Sequence, residues 1–169
     1  EGVEFLKIST GYFEKGKWID KFSALEVKHL KEGSHLKSRE PVMHITGPFA
    51  YFCHLESLYL GILARRTLVA TNAHKTVKAA RAKSVICFAD RFDHFLNQEG
   101  DGYAAHIGGI ESVCTEAQAI RWNGKVAGTI PHALIAINNG NTSEAALQFS
   151  QNIKDNLVVL VDFDNNVVK

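Results

Sequence analysis

Prolines and cysteines are scarce, three of each in 169 residues, and neither sign of charge dominates, the formal net charge being +1. Cys53, Cys87 and Cys114 are widely spaced, odd in number and free of any CxxC pair. That excludes a disulfide framework or a thiolate zinc site and points to reduced thiols in a cytoplasmic protein. The balanced charge argues against a dedicated nucleic-acid binder, which would carry a one-sided basic patch. No apolar run approaches the roughly 18 residues that span a bilayer, so no membrane partner is expected. Internal repeats and low-complexity linkers are absent too. No signal-like segment follows Glu1, and VDFDNNVVK ends the chain without a helix after it. Both ends read as cut from a longer protein.

What is present is enough apolar material, 46% of residues, to bury the core of one ordinary domain or two small ones. Residues 1 to 83 read as a mixed α/β amino-terminal domain. A short helical pattern covers Glu4 to Ser9, and alternating strands follow. FSALEVKHL and PVMHITGP, joined by the polar KEGSHLKSRE, predict a hairpin-like pair with period-two apolar residues. Pro48 closes it and suits the first turn of a helix. Tyr51, Leu55, Leu58, Tyr59 and Ile62 recur at helical spacing, and a second helix is expected around Ala70 to Ala82, with Lys75, Lys78 and Arg81 on one side.

From residue 84 to 169 the rhythm is strand, loop, helix. SVICF, KVAG and LVVLVDF predict three strands. ADRFDHFLNQEGDGY and TIPHALIAINNGN read as loops, AAHIGGIESVCTEAQAIRW holds a helix in its second half, and TSEAALQFSQNI is a helix capped by Thr142 or Ser143. Successive βα units favour a parallel sheet, whose chemistry sits at the carboxyl ends of the strands. That rule places Asp90 to His94, Thr129 to His132 and Asp162 to Asp164 on one rim.

Each of these pieces also has a bland reading. Arg91, Asp93 and His94 can form a solvated loop, His132 can start a helix, and Asp162 and Asp164 can cap one. GDGYAAHIGG lacks the G-x-G-x-x-G dinucleotide fingerprint, and its glycines read better as sites of unusual backbone angle or close approach. Asp93, His94, Asp101 and His106 match no standard metal-ligand spacing, so no protein metal site is expected.

The strings ARRTLVATNAHKTVKAA, FADRFDHFLNQEGDGYAAHIGG, TEAQA, GTIPHALIA and LVDFDN, in this order and spacing, resemble nicotinate phosphoribosyltransferase, of the superfamily that includes quinolinate phosphoribosyltransferase. The resemblance runs from about Glu26 to Asn165. It implies an α/β protein: the mixed amino-terminal domain followed by the first part of an incomplete α/β barrel of parallel strands. The implied reaction is a pentosyl transfer, joining nicotinate to phosphoribosyl pyrophosphate for NAD synthesis, with Mg2+ carried on the pyrophosphate and ATP a second candidate cofactor. By the same resemblance Arg91 and His94 follow the first barrel strand as substrate-binding residues, with Thr129. His132 belongs to the Gly-Thr-x-Pro-His turn and Asp162 is the acid ending the third barrel strand, the two catalytic positions. Arg65, with Arg66 beside it, matches an interface-helix arginine that reaches a partner subunit's site in quinolinate relatives, which implies a homodimer or higher homo-oligomer. Phe92 replaces a second basic residue of many relatives. Ser112 to Thr115 replaces a Gly-Val-Ser-Thr run, and the later strands with phosphate-binding glycine loops are missing, so the fragment is expected to be inactive alone.

The residue types suit that chemistry. Displacement at an anomeric carbon builds positive charge on the sugar, which a carboxylate such as Asp162 stabilises, and releases an anion that Arg91, His94 and His132 can hold. Two other classes remain. The 26–48 hairpin resembles a biotinyl or lipoyl carrier sandwich, though its turn has no lysine flanked by methionines. Phe92 and the missing strands fit a non-catalytic interaction protein derived from such an enzyme.

Overall fold

A computed structural model describes residues 1–153 and 157–167. The chain opens with helix α1 (Gly2–Ser9), followed by strands β1 (Gly11–Glu14) and β2 (Lys17–Asp20). These two form an antiparallel hairpin that turns through Lys15 and Gly16, both at positive φ, as a two-residue turn of matching twist requires. The expected second pair is present as β3 (Glu26–His29) and β4 (Met43–Thr46), antiparallel, with Val27 opposite Ile45. Leu6, Phe52 and Leu55 are buried beneath it, with Val27, Met43 and Ile45 packed against them.

The two helices expected between residues 49 and 82 are one. After two short 3-10 turns, helix α2 runs unbroken from Glu56 to Ala80. Gly61 is the single weak helix former in its first half and proline is absent, so nothing in the sequence stops propagation. The helix ends at Arg81, at positive φ.

Three parallel strands follow, in the order β5 (Ile86–Cys87), β6 (Ser112–Val113), β7 (Lys125–Val126). Two match SVICF and KVAG in shortened form. The middle strand lies in the segment read as loop and helix, and LVVLVDF forms no strand. Among the described residues two backbone bonds reach that segment, from Ile130 N–H to the Val158 carbonyl at 3.0 Å and, as a local turn, from Asn165 N–H to the Asp162 carbonyl at 3.0 Å. Its apolar side chains Val159, Leu160 and Phe163 pack instead on the buried Ile130, Ile135 and Ala145. The sheet is therefore parallel as expected, with a different membership.

Helices fill the connections. The stretch ADRFDHFLNQEGDGY is not all loop, because α3 spans Gln98–Ile107. Next come α4 (Glu116–Ala119), α5 (His132–Ile137) inside the expected TIPHALIAINNGN loop, and α6 (Thr142–Asn152). The cap of α6 is Asn141, whose side chain accepts from Glu144 N–H at 3.0 Å, rather than Thr142 or Ser143. An amide oxygen one residue earlier meets a free N–H group of the first turn. The parallel sheet and α3 enclose the third cluster, Ala105, Ile110, Val113 and Ala119, covered by Val69, Ala73 and Val77 of α2. Close approach of α2 and α3 depends on Gly108, where an added Cβ would lie 2.5 Å from the Ala70 carbonyl oxygen and 2.6 Å from Ala73 Cβ. No helix among the described residues is long and apolar enough to cross a membrane.

Candidate functional site

Because β5, β6 and β7 are parallel, the connections leaving their carboxyl ends begin at one edge of the sheet. Arg91, Phe92, Asp93 and His94 lie in the connection after β5, Cys114 and Thr115 after β6, and Thr129 to His132 after β7. Two glutamines fix the first two connections together. Gln118, wholly buried, accepts from the backbone N–H groups of Cys114 at 3.2 Å and Thr115 at 3.3 Å, and donates to the Ala89 carbonyl at 3.2 Å. Its own N–H bonds the Thr115 hydroxyl, which completes a reciprocal cap for α4. Thr115 in turn donates to Gln98 at 2.8 Å, and Gln98 donates to the Asp90 carbonyl at 2.8 Å. The two peptide carbonyls preceding Arg91 are thus tied to side chains from α3 and α4. Burial raises the Cys114 thiol to about 11, aided by the Asp90 charge, so it is a poor nucleophile at neutral pH.

Beside this edge lies a cluster of arginines and carboxylates. Arg65 meets Asp101 through two parallel bonds, Nε to Oδ1 at 3.0 Å and Nη2 to Oδ2 at 2.7 Å, and its Nη2 also donates to Asp93. Arg66 donates from Nη1 to the same Asp101 at 2.6 Å and grips Glu1 through Nε at 2.6 Å and Nη2 at 3.0 Å. Gly100 makes this possible, since a Cβ there would overlap the Arg66 guanidinium, 2.1 Å from Cζ. Hydrogen bonds donated to Asp101 and then Asp93 hold Arg65 well above its ordinary range. The Arg65 guanidinium in turn holds Asp93 below the usual carboxylate value, with help from the His94 N–H. The Arg66 hydrogen bond likewise lowers Glu1, against the opposing effect of burial.

The third feature is the Gly-Thr-x-Pro-His turn. Pro131 is extended, with φ −76° and ψ 147°, and hands over to His132, the first residue of α5. The imidazole is half-exposed, with Nε2 3.1 Å from Asp162 Oδ1 and the ring stacked at 6.3 Å on Phe163. The bland expectation of a helix-starting histidine is correct in position, but the side chain bonds a carboxylate 30 residues away rather than backbone.

The expected site residues therefore fall into groups. His132 and Asp162 are brought together. Arg65 and Arg66 are brought together by Asp101, and Arg65 touches the Asp93 beside His94. Arg91 is exposed, its nearest ionic partner Asp90 at 3.7 Å. His94 stacks on Phe95 and accepts from the Leu96 N–H, and the Thr129 hydroxyl donates to the Ile130 carbonyl at 3.2 Å. Among the described residues no hydrogen bond, ion pair or ring contact joins Arg91 or His94 to the His132–Asp162 pair. The contacts of Arg65 and Arg66 run within the chain. Of the four residues weighed as metal ligands, Asp93 and Asp101 serve Arg65 and His106 stacks on Trp122 at 4.0 Å. No set of three His, Cys, Asp or Glu side chains among the described residues is placed to hold a metal ion. Asp101, Gln98 and Gln118 were not singled out as site residues from the sequence; Asp101 had been weighed as a metal ligand, and Gln118 lies in the TEAQA string.

No protein-family model matches the chain. Nicotinate phosphoribosyltransferase of Bacillus subtilis is 34% identical over 113 residues, covering 63% of this chain and 22% of that protein. Among solved structures, nicotinate-nucleotide pyrophosphorylase from Pyrococcus furiosus superposes with a TM-score of 0.75 at 34% identity, over 82% of this chain and 36% of that one. Human nicotinic acid phosphoribosyltransferase shares the fold, with a TM-score of 0.63 at 24% identity, over 68% of this chain and 23% of that one. The chain thus spans about a fifth to about a third of the length of these proteins. By sequence and by fold, over most of its own length, the chain is similar to part of these nicotinate-handling proteins.

Proposed function

We propose that the protein to which this chain belongs joins nicotinate to phosphoribosyl pyrophosphate, giving nicotinate mononucleotide and pyrophosphate. The observation that carries this reading is the His132–Asp162 pair, set by a Gly-Thr-x-Pro-His turn that leaves the carboxyl end of a parallel strand. It is supported by 34% identity to a nicotinate phosphoribosyltransferase. The ring nitrogen of nicotinate forms the new bond to the anomeric carbon as the bond from that carbon to pyrophosphate breaks. The electron pair of the broken bond leaves with pyrophosphate. Asp162 favours the positive charge that builds on the ribose ring, and His132, oriented by Asp162, donates a hydrogen bond to the departing oxygens. Arg91, without a close bidentate partner among the described residues, offers its guanidinium to the same anion or to the nicotinate carboxylate. His94, Thr129, Arg65 and Arg66 complete the substrate-binding set. Magnesium enters as the counter-ion of phosphoribosyl pyrophosphate. The work of the protein is positioning and fixed electrostatics, without a covalent intermediate. Quinolinate and nicotinamide are the competing pyridine substrates, and a homodimer is the assembly this reading favours.

The test is the rate of nicotinate mononucleotide formation by the full-length protein, with and without ATP. His132→Ala should lower it about a hundredfold, the loss of one transition-state contact of about 2.7 kcal/mol. The melting temperature should hardly change, because a half-exposed pair contributes at most about 1 kcal/mol. Near-normal turnover by the variant removes His132 from the site.

One observation favours a second reading, that of a non-catalytic interaction protein. Phe92, Phe95 and Leu96 stand largely exposed on the connection after β5, Phe92 at 85%. Full-length protein that makes no mononucleotide under any of these conditions would decide for it.

A further inference from the structure

Arg65 carries more negative partners than one guanidinium needs, and they are held differently. Asp101 is the more deeply buried, its side chain 16% exposed. It meets Arg65 edge to edge and shares Oδ1 with Arg66, so both of its oxygens are committed to arginine. It also sits on α3, next to the glycine that admits the Arg66 guanidinium. Withdrawing it would strip two half-buried cations at once. Asp93 is 48% exposed and belongs to the connection after β5, outside any strand or helix. Only its Oδ2 reaches Arg65. Its Oδ1 is satisfied by its own connection, accepting from His94 N–H at 2.8 Å and from the Asn97 side chain at 2.9 Å. If Oδ2 lets go, the carboxylate keeps two hydrogen bonds and gains water. Arg65 then presents Nη2 toward the same connection that carries Arg91, and its Nη1 makes no hydrogen bond among the described residues.

We propose that Asp101 is the positioning residue of Arg65 and Arg66, and that Asp93 is an exchangeable stand-in, holding the place on Arg65 that an anionic group of the substrate takes. This rests on the assignment of Arg65 to substrate binding. The chemical class of the incoming group is a phosphate, pyrophosphate or carboxylate whose oxygens can replace Asp93 Oδ2. Binding then includes a carboxylate-for-anion exchange, and affinity is set by the difference between the two.

The two aspartates therefore differ in sign. Titration of inorganic pyrophosphate into the full chain by calorimetry, at neutral pH and fixed ionic strength, reads it directly. Asp93→Asn removes the competitor and should tighten binding about tenfold, the scale of one charge-assisted hydrogen bond. Asp101→Asn leaves Arg65 unfixed and should weaken binding by a similar factor. A purely structural role for both ion pairs predicts that both variants weaken binding together with the thermal melt. Asp93→Asn or Asp93→Ser binding no tighter than the parent overturns the exchange. Should Asp101→Asn fail to fold, Asp101→Glu tests the same point, since it keeps the charge but moves the carboxylate by one methylene and should still weaken binding. An Arg65→Gln variant that binds pyrophosphate like the parent would instead remove Arg65 from the substrate site. That result is distinct from a failure of the exchange.

Discussion

Replacing Gln118 by alanine should be among the most damaging single changes to the candidate site, although Gln118 touches no proposed substrate atom. In the parent its carboxamide takes up the N–H groups of Cys114 and Thr115 and the carbonyl of Ala89, all in a side chain with no exposure. Alanine leaves two donors and one acceptor without these partners, and a buried polar group so deprived costs about 1–3 kcal/mol. Water entering the vacated space recovers part of this, so we expect a net loss of about 3 kcal/mol. For a chain of this size that lowers the melting temperature by about 6–12 °C. Thr115→Ala is the internal comparison. It removes a cap and the bond to Gln98 but leaves the Gln118 bond to Ala89, and should cost about 1 kcal/mol. Thermal and urea melts of the three proteins, followed by circular dichroism, give both numbers. A Gln118→Ala shift no larger than that of Thr115→Ala would refute the claim that this one amide ties the β5 and β6 connections together. The same variant should weaken pyrophosphate binding even at temperatures where it is fully folded, because the carbonyl before Asp90 and Arg91 has lost its anchor.

The thiols should separate by environment: a disulfide reagent should label the exposed Cys53 quickly in the native protein, while Cys114, half-buried and raised to about 11, reacts much more slowly until the chain unfolds. Mass spectrometry of the labelled peptides checks this, and native labelling of Cys114 as fast as that of Cys53 would contradict the raised thiol. Acid stability should carry the mark of Glu1, whose folded value lies below its ordinary 4.5 through the Arg66 hydrogen bond. A depressed carboxyl contributes fully above its unfolded value and loses that contribution as the pH falls through the folded one. The difference in melting temperature between parent and Glu1→Gln should therefore be largest above about pH 4.5 and shrink below it; a gap that persists undiminished into stronger acid would show that the Glu1–Arg66 pair is not its source. His132→Ala, in turn, should separate activity from stability as set out above.

Much of the amino-terminal half was legible because its signals are local. Val27 and Ile45 alternate with polar neighbours on either side of a long polar turn, and the hairpin follows. Helix α2 was legible as helix, and dividing it in two had no physical ground, since no breaker lies between Ile62 and Ala70. Helix α3 was hidden by its composition. The sequence QEGDGY reads as loop because Gly100 and Gly102 disfavour helix, yet Gly100 makes room for Arg66, a contact set by a helix 34 residues earlier in sequence. LVVLVDF failed in the opposite way. Its β-rich run is apolar because it covers Ile130 and Ile135, and periodicity cannot distinguish a covering segment from a strand. At the site, the His132 turn could be read from Pro131 and the glycine before it. Asp101 could not, because its role lies in two arginines on another helix.

The glycine at the α2–α3 contact has a consequence for how such a chain can change length. Gly100 faces Arg66, Gly108 faces Ala70, Ala73 and His74, and Gly109 faces Val77. These pairs advance in step, so α3 and the two glycines that follow it meet α2 at several points. One residue inserted into α2 between Arg66 and Val77 turns everything beyond it by about 100° and slides it by about 1.5 Å. Gly108 and Gly109 would then lose their match to the residues beyond the insertion, and neither helix could shift to absorb the change without losing the earlier match at Arg66. The polar stretch between β3 and β4 meets α2 and α3 through single side chains, His35 on His74 and Glu32 on Tyr103, rather than through glycine-filled close approaches. Insertions and deletions should therefore accumulate there and be purged from α2, so that the spacing between the paired arginines and the end of their helix is the most rigid length in the chain.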